Sequence, residues 1–264
     1  MFRRPLPLLG SLAAGLLLSL GLAAPAAAAG ADYAALGDSY SSGVGTNNYD
    51  GTSGSCLRSP QSYPRLWANS HAPASFQFVA CSGATTREVL NNQLGALNSG
   101  TDLVTISIGG NDAGFADVVT TCRLGSDSGC LTAVNNAKAY ITTTLPGRLD
   151  ETYRAIRSRA PGAQVVVLGY PRLFELGSCG FGSINEYKRS LLNGGADTMS
   201  SVISGRASAA GFSYADVRGR FAGHGVCAAT PWINGTTFPV VESYHPKAAG
   251  YSSGYLPALT AITG

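Results

Sequence analysis

The sequence predicts an α/β fold in which helices cover both faces of a central parallel sheet of about five strands. Short apolar runs recur along the chain and end in Gly, Pro or polar clusters, as buried strands do. Longer segments of helical character separate these runs, and parallel strands need such crossovers. About 235 residues follow the first 29, a length that suits one domain with a substantial core.

The individual elements follow from this alternation. The predicted strands are residues 33–36, 76–80, 103–108, 165–168 and, more weakly, 212–217. The predicted helices are residues 62–70, 85–97, 131–160 with a break at Pro146, 184–210 and 247–262. Ligands of such folds bind beyond the carboxyl ends of the strands, so the residues at those ends are the first candidates for a site.

Residues 1–29 predict a secretory signal peptide that precedes a single domain of residues 30–264. Arg3 and Arg4 give a basic start, residues 8–24 are apolar without a charge, and small residues follow up to Ala29. This pattern predicts cleavage after Ala28 or Ala29, and hence a secreted, extracellular protein. An uncleaved membrane anchor is the alternative, but the apolar run is short for a span and ends in the small residues that cleavage needs.

The charge balance disfavours a nucleic-acid partner. The whole chain has 18 Lys plus Arg and 15 Asp plus Glu, and removing Arg3 and Arg4 leaves 16 against 15. A nucleic-acid-binding domain normally carries a clear basic excess, which is absent here. Only 12% of the residues are charged, which suits contact with an apolar or interfacial substrate.

Six cysteines predict three disulfides in a secreted chain, although the sequence alone allows 15 pairings. Because short loops close at the lowest entropic cost, we expect the sequential pairs Cys56–Cys81, Cys122–Cys130 and Cys179–Cys227. No two cysteines have the Cys-x2-Cys spacing, so a zinc site and a dithiol redox centre are both disfavoured. No metal or other cofactor is expected.

Three of the predicted strand ends carry groups suited to acyl transfer. The first strand runs into ALGDSYSSG (residues 35–43), which places Ser39 at a strand-to-helix turn. Gly83 and Asn111 follow the next two strands, and together with the Ser39 N–H they can donate hydrogen bonds to an oxyanion. Gly, Asp, Asn and Ser are also common turn residues, so each position alone has a structural interpretation.

A serine nucleophile needs a base, and His245 is the best candidate among three histidines. It precedes Pro246 immediately before the predicted terminal helix, and Pro suits the first position of a helix. The alternative for His245 is a simple capping role. His71 falls late in a predicted helix and His224 in a Gly-rich loop near Cys227, so both are weaker candidates.

The sequence resembles the SGNH (GDSL-type) hydrolases, and most closely the secreted lipases and esterases of filamentous actinobacteria. The resemblance spans essentially the whole mature chain and rests on four motifs in order, Gly37-Asp38-Ser39-Tyr40, Gly83, Gly109-x-Asn111-Asp112 and His245-Pro246. It implies a flavodoxin-like three-layer α/β/α sandwich and hydrolysis of acyl esters. It also implies that Ser39 is the nucleophile and His245 the base, and that Gly83 and Asn111 are oxyanion donors. The related secreted lipases likewise have three sequential disulfides.

One position departs from the family pattern. The family usually has Asp three residues before the histidine, whereas this chain has Glu242. Either the longer Glu242 carboxylate or a backbone carbonyl of Glu242 or Ser243 can hold the far N–H of His245, and we expect the carbonyl. The Gly-x-Ser-x-Gly elbow of the α/β-hydrolases is absent, which disfavours that fold.

The sequence therefore predicts a secreted, monomeric serine ester hydrolase that acts on lipid esters through an acyl-enzyme. Phospholipase A activity and deacetylation of polysaccharides are the alternatives within enzymes. The alternative outside enzymes is a secreted carbohydrate- or surface-binding protein on the same fold, which would need none of Ser39, Asn111 and His245.

Overall fold

The computed structural model describes residues 1–2, 30–180 and 184–264. Nearly all of the predicted signal peptide at residues 1–29 lies outside the described residues, and that peptide stays a prediction. The described strands form one parallel sheet in the order β2-β1-β3-β4-β5. They are β1 Asp32–Gly37, β2 Ser75–Phe78, β3 Leu103–Ser107, β4 Gln164–Leu168 and β5 Ser213–Ala215. This is the flavodoxin-like order, which has its topological switch point between β1 and β3.

The α-helices are α1 Ser39–Ser42, α2 Tyr63–His71, α3 Thr86–Glu88, α4 Phe115–Leu124, α5 Asp127–Thr143, α6 Leu145–Arg159, α7 Glu186–Ala209 and α8 Leu256–Thr263. Helices α2 and α8 contact each other on one side of the sheet, whereas α6 and α7 contact each other on the other. Strand β4 contacts both α7 and α8. The fold is thus the expected three-layer α/β/α sandwich with a five-stranded parallel sheet.

Several predicted helices differ from the structure in their limits. The segment 85–97 is α3 followed by a π-helix, Val89–Gln93, and a 3-10 helix, Leu94–Ala96. The segment 131–160 covers most of α5 and all of α6. The break comes at Thr144 and not at Pro146, because Pro146 lies in the first turn of α6, where its missing N–H costs nothing. Helix α7 is confirmed within two residues of its predicted limits.

Helix α4 was not predicted at all. Its interior contains four consecutive β-branched residues, Val118 to Thr121, which have weak helix propensity. Tertiary contacts outweigh that preference, because Val119 and Cys122 are buried and α4 packs along α5.

The predicted position of Pro246 at the start of the terminal helix is wrong. Pro246 instead forms an isolated antiparallel bridge with Ile233, and Lys247 N–H donates to the Trp232 carbonyl at 2.7 Å. The helical segment begins at Ala248, one residue after its predicted start, continues as a π-helix over Gly250–Tyr255 and runs into α8. Because a Cβ at Gly254 would clash with the Phe221 ring, this glycine permits the close packing of the segment.

The structure contains the disulfides Cys56–Cys81, Cys122–Cys130 and Cys179–Cys227. Cys56–Cys81 joins the loop after α1 to the residues that follow β2, and Cys122–Cys130 joins α4 to α5. Within residues 1–2, 30–180 and 184–264, no helix has the length and apolar character to cross a membrane.

Candidate active site

The turn after β1 presents Ser39 at the carboxyl edge of the sheet. Gly37 has a φ of +121°, and a Cβ there would collide with the Ser107 carbonyl, so only glycine fits without strain. Asp38 caps α1 by accepting a hydrogen bond from Tyr40 N–H at 3.0 Å. Ser39 is consequently the first residue of α1, and only 7% of its surface is exposed.

Ser39 and His245 are in direct contact although 206 positions separate them. The Oγ of Ser39 lies 2.7 Å from Nε2 of His245, and Nδ1 of the ring lies 3.1 Å from the Ser243 carbonyl oxygen. A carbonyl can only accept, so Nδ1 carries the proton in the neutral ring. Nε2 then has a free lone pair directed at the Ser39 hydroxyl, which is the arrangement that a general base needs.

The environment of His245 keeps the ring neutral. Burial lowers its pKa to about 4, although the carbonyls of Ser243 and Val241 favour the protonated form. At neutral pH the ring is therefore ready to accept a proton.

Backbone contacts hold His245 in place from both sides. Tyr244 has a φ of +62°, an uncommon conformation for a bulky residue, and its carbonyl accepts a hydrogen bond from the Tyr40 hydroxyl at 2.7 Å. Asn234 N–H donates to the His245 carbonyl at 2.9 Å, and Tyr244 N–H donates to the Asn234 carbonyl at 3.1 Å. The Asn234 side chain also donates to the Gly45 carbonyl at 2.8 Å. These hydrogen bonds therefore hold the segment against the part of the chain that carries Ser39.

The Glu242 carboxylate is engaged away from His245. It accepts hydrogen bonds from the Tyr49 hydroxyl and, at 3.2 Å, from Asn47 N–H. Glu242 is buried, and among the described residues its carboxylate makes no hydrogen bond to the His245 ring. The partner of Nδ1 is the Ser243 carbonyl.

The loops after β2 and β3 meet the turn that carries Ser39. Cys81 N–H donates to the Gly37 carbonyl at 3.0 Å, and the Asn111 amide donates to the Ala84 carbonyl at 2.9 Å. Gly83 lies between these two attachment points with a φ of +80°. In the described part of the chain, neither its N–H nor that of Ser39 has a hydrogen-bond partner. Asn111 and Ser39 line one cavity.

Sequence reasoning missed Tyr170, whose hydroxyl joins two of these loops. It donates to Oδ2 of Asp38 at 2.5 Å and accepts from Gly110 N–H at 3.1 Å. Burial raises the pKa of Asp38 to about 7, even though the hydrogen bonds from Tyr170 and Tyr40 favour the carboxylate. Its position in the sequence could have indicated this role, because Tyr170 follows Gly169 just after the end of β4, where site residues are expected.

An apolar cavity extends from Ser39 between the helices of one layer. Asp38, Ser39 and Asn111 lie at one part of its wall, and α4, α5 and α7 supply apolar side chains elsewhere. These apolar side chains include Val119, Val134, Ile141, Leu192 and Met199. Gly195 of α7 also lines the cavity, and a Cβ at this position would meet no atom within 4 Å.

The other two histidines have structural roles. His71 ends α2, stacks on Trp67 and is 2.8 Å from the Gly264 carbonyl through Nε2. His224 stacks on Trp232, and its Nδ1 is 2.9 Å from the Thr230 carbonyl. Over residues 30–180 and 184–264, no group of His, Cys, Asp and Glu side chains could hold a metal ion.

This chain is similar to a family of lipases and acylhydrolases and to individual lipases of that kind. Residues 35–252 match the GDSL-like Lipase/Acylhydrolase family. A Streptomyces rimosus protein named lipase is 57% identical over 233 residues, which are 88% of this chain and 87% of the relative. The crystal structure of an extracellular lipase from Streptomyces rimosus has a TM-score of 0.86 at 56% identity, covering 88% of this chain and 99% of the other. Phospholipase A1 from Streptomyces albidoflavus NA297 has the same TM-score at 54% identity, with coverages of 89% and 99%.

Proposed function

Because this chain belongs to the GDSL-like lipase/acylhydrolase family and is a carboxylic ester hydrolase, we propose that Ser39 is its nucleophile and His245 its general base. The observation that carries the proposal is the 2.7 Å separation of Ser39 Oγ and His245 Nε2. The buried, neutral ring and its Nδ1 partner, the Ser243 carbonyl, support the same assignment.

In the proposed reaction, Ser39 Oγ attacks the ester carbonyl carbon while Nε2 of His245 takes the hydroxyl proton. The imidazolium that forms is stabilised at Nδ1 by the Ser243 carbonyl. It returns the proton to the leaving alcohol, and the acyl group stays on Ser39. Water then attacks the acyl-enzyme and gives its proton to Nε2. As the bond between the acyl carbon and Ser39 Oγ breaks, Nε2 passes that proton to Oγ, so the carboxylic acid leaves and both the Ser39 hydroxyl and the neutral ring are restored.

The negative oxygen of each tetrahedral intermediate needs preorganised donors. We assign this role to the N–H groups of Ser39 and Gly83 and to the Asn111 amide. An amide NH₂ has two hydrogens, and the Ala84 carbonyl holds one of them, so the second can face the oxyanion. Tyr170 stabilises the arrangement indirectly, by linking Asp38 beside the nucleophile to Gly110 beside Asn111.

The apolar cavity supports a position for the acyl side of the substrate. A lipid acyl chain can occupy an apolar wall of this kind, whereas an acetyl group would leave most of it unused, which disfavours polysaccharide deacetylation. Phospholipase A1 activity is the second candidate, because the albidoflavus phospholipase A1 shares the fold at 54% identity. We also propose that the protein is secreted, since three disulfides suit an oxidising compartment. A monomeric state remains part of the same proposal.

The first test is a hydrolysis panel with parent enzyme and Ser39→Ala. The panel contains p-nitrophenyl esters of increasing chain length, phosphatidylcholine, triacylglycerol and acetylated xylan. We expect turnover of the lipid esters by the parent and a loss of at least about 10³-fold in Ser39→Ala, with an unchanged circular dichroism spectrum. Turnover by Ser39→Ala within tenfold of the parent would overturn the assignment.

The second test concerns the cavity and uses two glycines of α7. Gly195→Leu fills the cavity, whereas Gly205→Leu adds the same side chain at an exposed position where a Cβ also meets nothing within 4 Å. We expect Gly195→Leu to reduce kcat/KM for long-chain esters at least tenfold more than for acetate or butyrate esters. Gly205→Leu should keep the parent's chain-length profile. The same profile in all three proteins would exclude this cavity as the acyl site.

A further inference from the structure

A short apolar loop protrudes from the protein directly beside the catalytic histidine. Phe238 is 89% exposed, Val240 73% and Val241 43%, and Pro239 lies among them. Large apolar side chains of a soluble protein are seldom exposed consecutively, so such a group marks an interaction site.

Hydrogen bonds close the loop at its base and order its backbone. Thr237 N–H donates to Ser243 Oγ at 3.0 Å, and Ser243 Oγ in turn donates to the Thr237 carbonyl at 3.2 Å. Within the loop, Glu242 N–H donates to the Pro239 carbonyl at 2.9 Å and Ser243 N–H to the Val240 carbonyl at 3.0 Å. Ser243 is also the residue whose carbonyl contacts His245, so the loop and the active site share one rigid support.

The tip of this loop presents no charge to solvent. Between Thr236 and His245 the only acidic or basic residue besides His245 is Glu242, and its carboxylate is buried against Tyr49 and Asn47. A cation lies at the base of the loop, where Arg123 Nε donates to Thr236 Oγ1 at 3.3 Å. Leu124, the next residue of α4, is 77% exposed. The tip can therefore enter an apolar phase without the cost of burying an ion.

We propose that the loop of Phe238, Val240 and Val241 inserts into the surface of aggregated lipid and docks the active site on it. The inference rests on the proposed ester hydrolysis, because a lipid acyl chain must leave an aggregate to reach the cavity beside Ser39. Protein partners normally bury about 800 Å² on each side with several hydrogen bonds, which is much more than a four-residue tip offers. A shallow apolar wedge fits a lipid surface instead.

Binding is tested with vesicles of phosphatidylcholine, in a Ser39→Ala background so that the lipid is not hydrolysed. We compare the polar pair Phe238→Ser/Val240→Ser with the apolar pair Phe238→Leu/Val240→Leu. Because burial of one large apolar side chain is worth roughly ten- to a hundredfold in partitioning, the polar pair should bind at least tenfold more weakly. The apolar pair should stay within about threefold of its background. Equal binding of the two pairs would overturn the proposal.

Insertion itself is tested with a fluorescent reporter in the loop. In Phe238→Trp the new indole should shift its emission to shorter wavelength on phosphatidylcholine vesicles, and brominated acyl chains should quench that emission. The signal of the parent, which comes from Trp67 and Trp232, is measured under the same conditions and subtracted. Unchanged emission would contradict insertion. Sedimentation velocity that shows a dimer for the parent and a monomer for the polar pair would also overturn the proposal, in favour of a second copy of this chain.

Activity separates failure of this inference from failure of the proposed function. With Ser39 intact, the polar pair should keep kcat/KM on a soluble acetate or butyrate ester within about twofold of the parent. Its activity on phosphatidylcholine vesicles should fall at least fivefold. Equal activity of the polar pair and the parent on vesicles would overturn the docking role alone. Absence of soluble-ester activity in the parent would overturn the proposed function.

Discussion

The Nδ1 atom of His245 lies 3.1 Å from the carbonyl oxygen of Ser243, two residues earlier in the chain. The carboxylate one residue further back, that of Glu242, is instead held by Tyr49 and Asn47. In the proposed mechanism, this backbone carbonyl therefore takes the place of the carboxylate of a catalytic triad.

Glu242→Gln should accordingly keep kcat within about tenfold of the parent, because the Ser243 carbonyl is retained and the Gln oxygen can still accept a hydrogen bond. In a triad whose carboxylate acts directly, the amide replacement costs about 10⁴ in kcat. The measurement is kcat on a soluble short-chain ester across pH 6 to 9. Glu175→Gln is the matched control, since Glu175 accepts a hydrogen bond from the Gly225 N–H. A fall near 10³ at every pH would make the Glu242 carboxylate a catalytic group.

If His245 is the general base, as we propose, its pKa sets the acid limit of activity. Only the neutral ring can accept the Ser39 proton, and burial lowers the pKa of this ring to about 4. Titration of His245 should therefore change kcat/KM on a soluble ester little between pH 7 and 5.5. Below about pH 4, kcat/KM should fall tenfold per pH unit as the ring becomes protonated. The pKa of Asp38 is raised to about 7, so this group is mostly protonated below pH 5.5. Its titration therefore does not contribute to the fall in kcat/KM below pH 4.

The same shift makes His245 destabilising in acid. Its folded pKa is below the unfolded value of about 6.5, so its contribution to stability is complete above pH 6.5 and is lost as the pH falls through 4. Circular dichroism at each pH therefore has to accompany the rate profile. An acid limb near pH 6.5 that persists in a folded Asp38→Asn variant, and so does not come from Asp38, would contradict the buried, neutral ring.

Asn111→Ala should reduce kcat by about 10²–10³ and leave KM nearly unchanged, as expected for a donor that acts mainly in the transition state. Asp112→Ala is the matched control in the same turn. The Asp112 carboxylate accepts hydrogen bonds from Thr86 N–H at 3.0 Å and Thr86 Oγ1 at 2.6 Å, so its loss should reduce stability with kcat within tenfold. If Asn111→Ala loses only stability, Asn111 is a turn residue and not an oxyanion donor.

Tyr170→Phe should reduce both stability and kcat. It leaves Asp38 Oδ2 and Gly110 N–H without their shared partner, and an unsatisfied buried polar group costs about 1–3 kcal/mol. Tyr153→Phe is the control, because the Tyr153 hydroxyl is buried without a hydrogen-bond partner within the described residues. Thermal unfolding and kcat should be affected in Tyr170→Phe and nearly unchanged in Tyr153→Phe. Equal behaviour of the two variants would remove Tyr170 from the positioning network.

The sequence predicted the strands and the residues at their ends because both depend on local chemistry. Buried strands require apolar runs, and the turn at Ser39 requires Gly37. The contacts of Tyr170 with Asp38 and of Tyr49 with Glu242 were not predictable, because they join positions 132 and 193 residues apart through ordinary tyrosines. Helix α4 was missed for a related reason: its packing on α5 outweighs a local preference that opposes it.

The most direct test of the Ser39–His245 pair is covalent labelling with a fluorophosphonate, followed by peptide mapping of the modified residue. The reagent reacts with a serine only when a base activates its hydroxyl. We predict a single adduct on Ser39, at least 100-fold slower labelling in His245→Ala, and no adduct in Ser39→Ala. An adduct on another residue, or equal labelling rates with and without the His245 ring, would contradict the account.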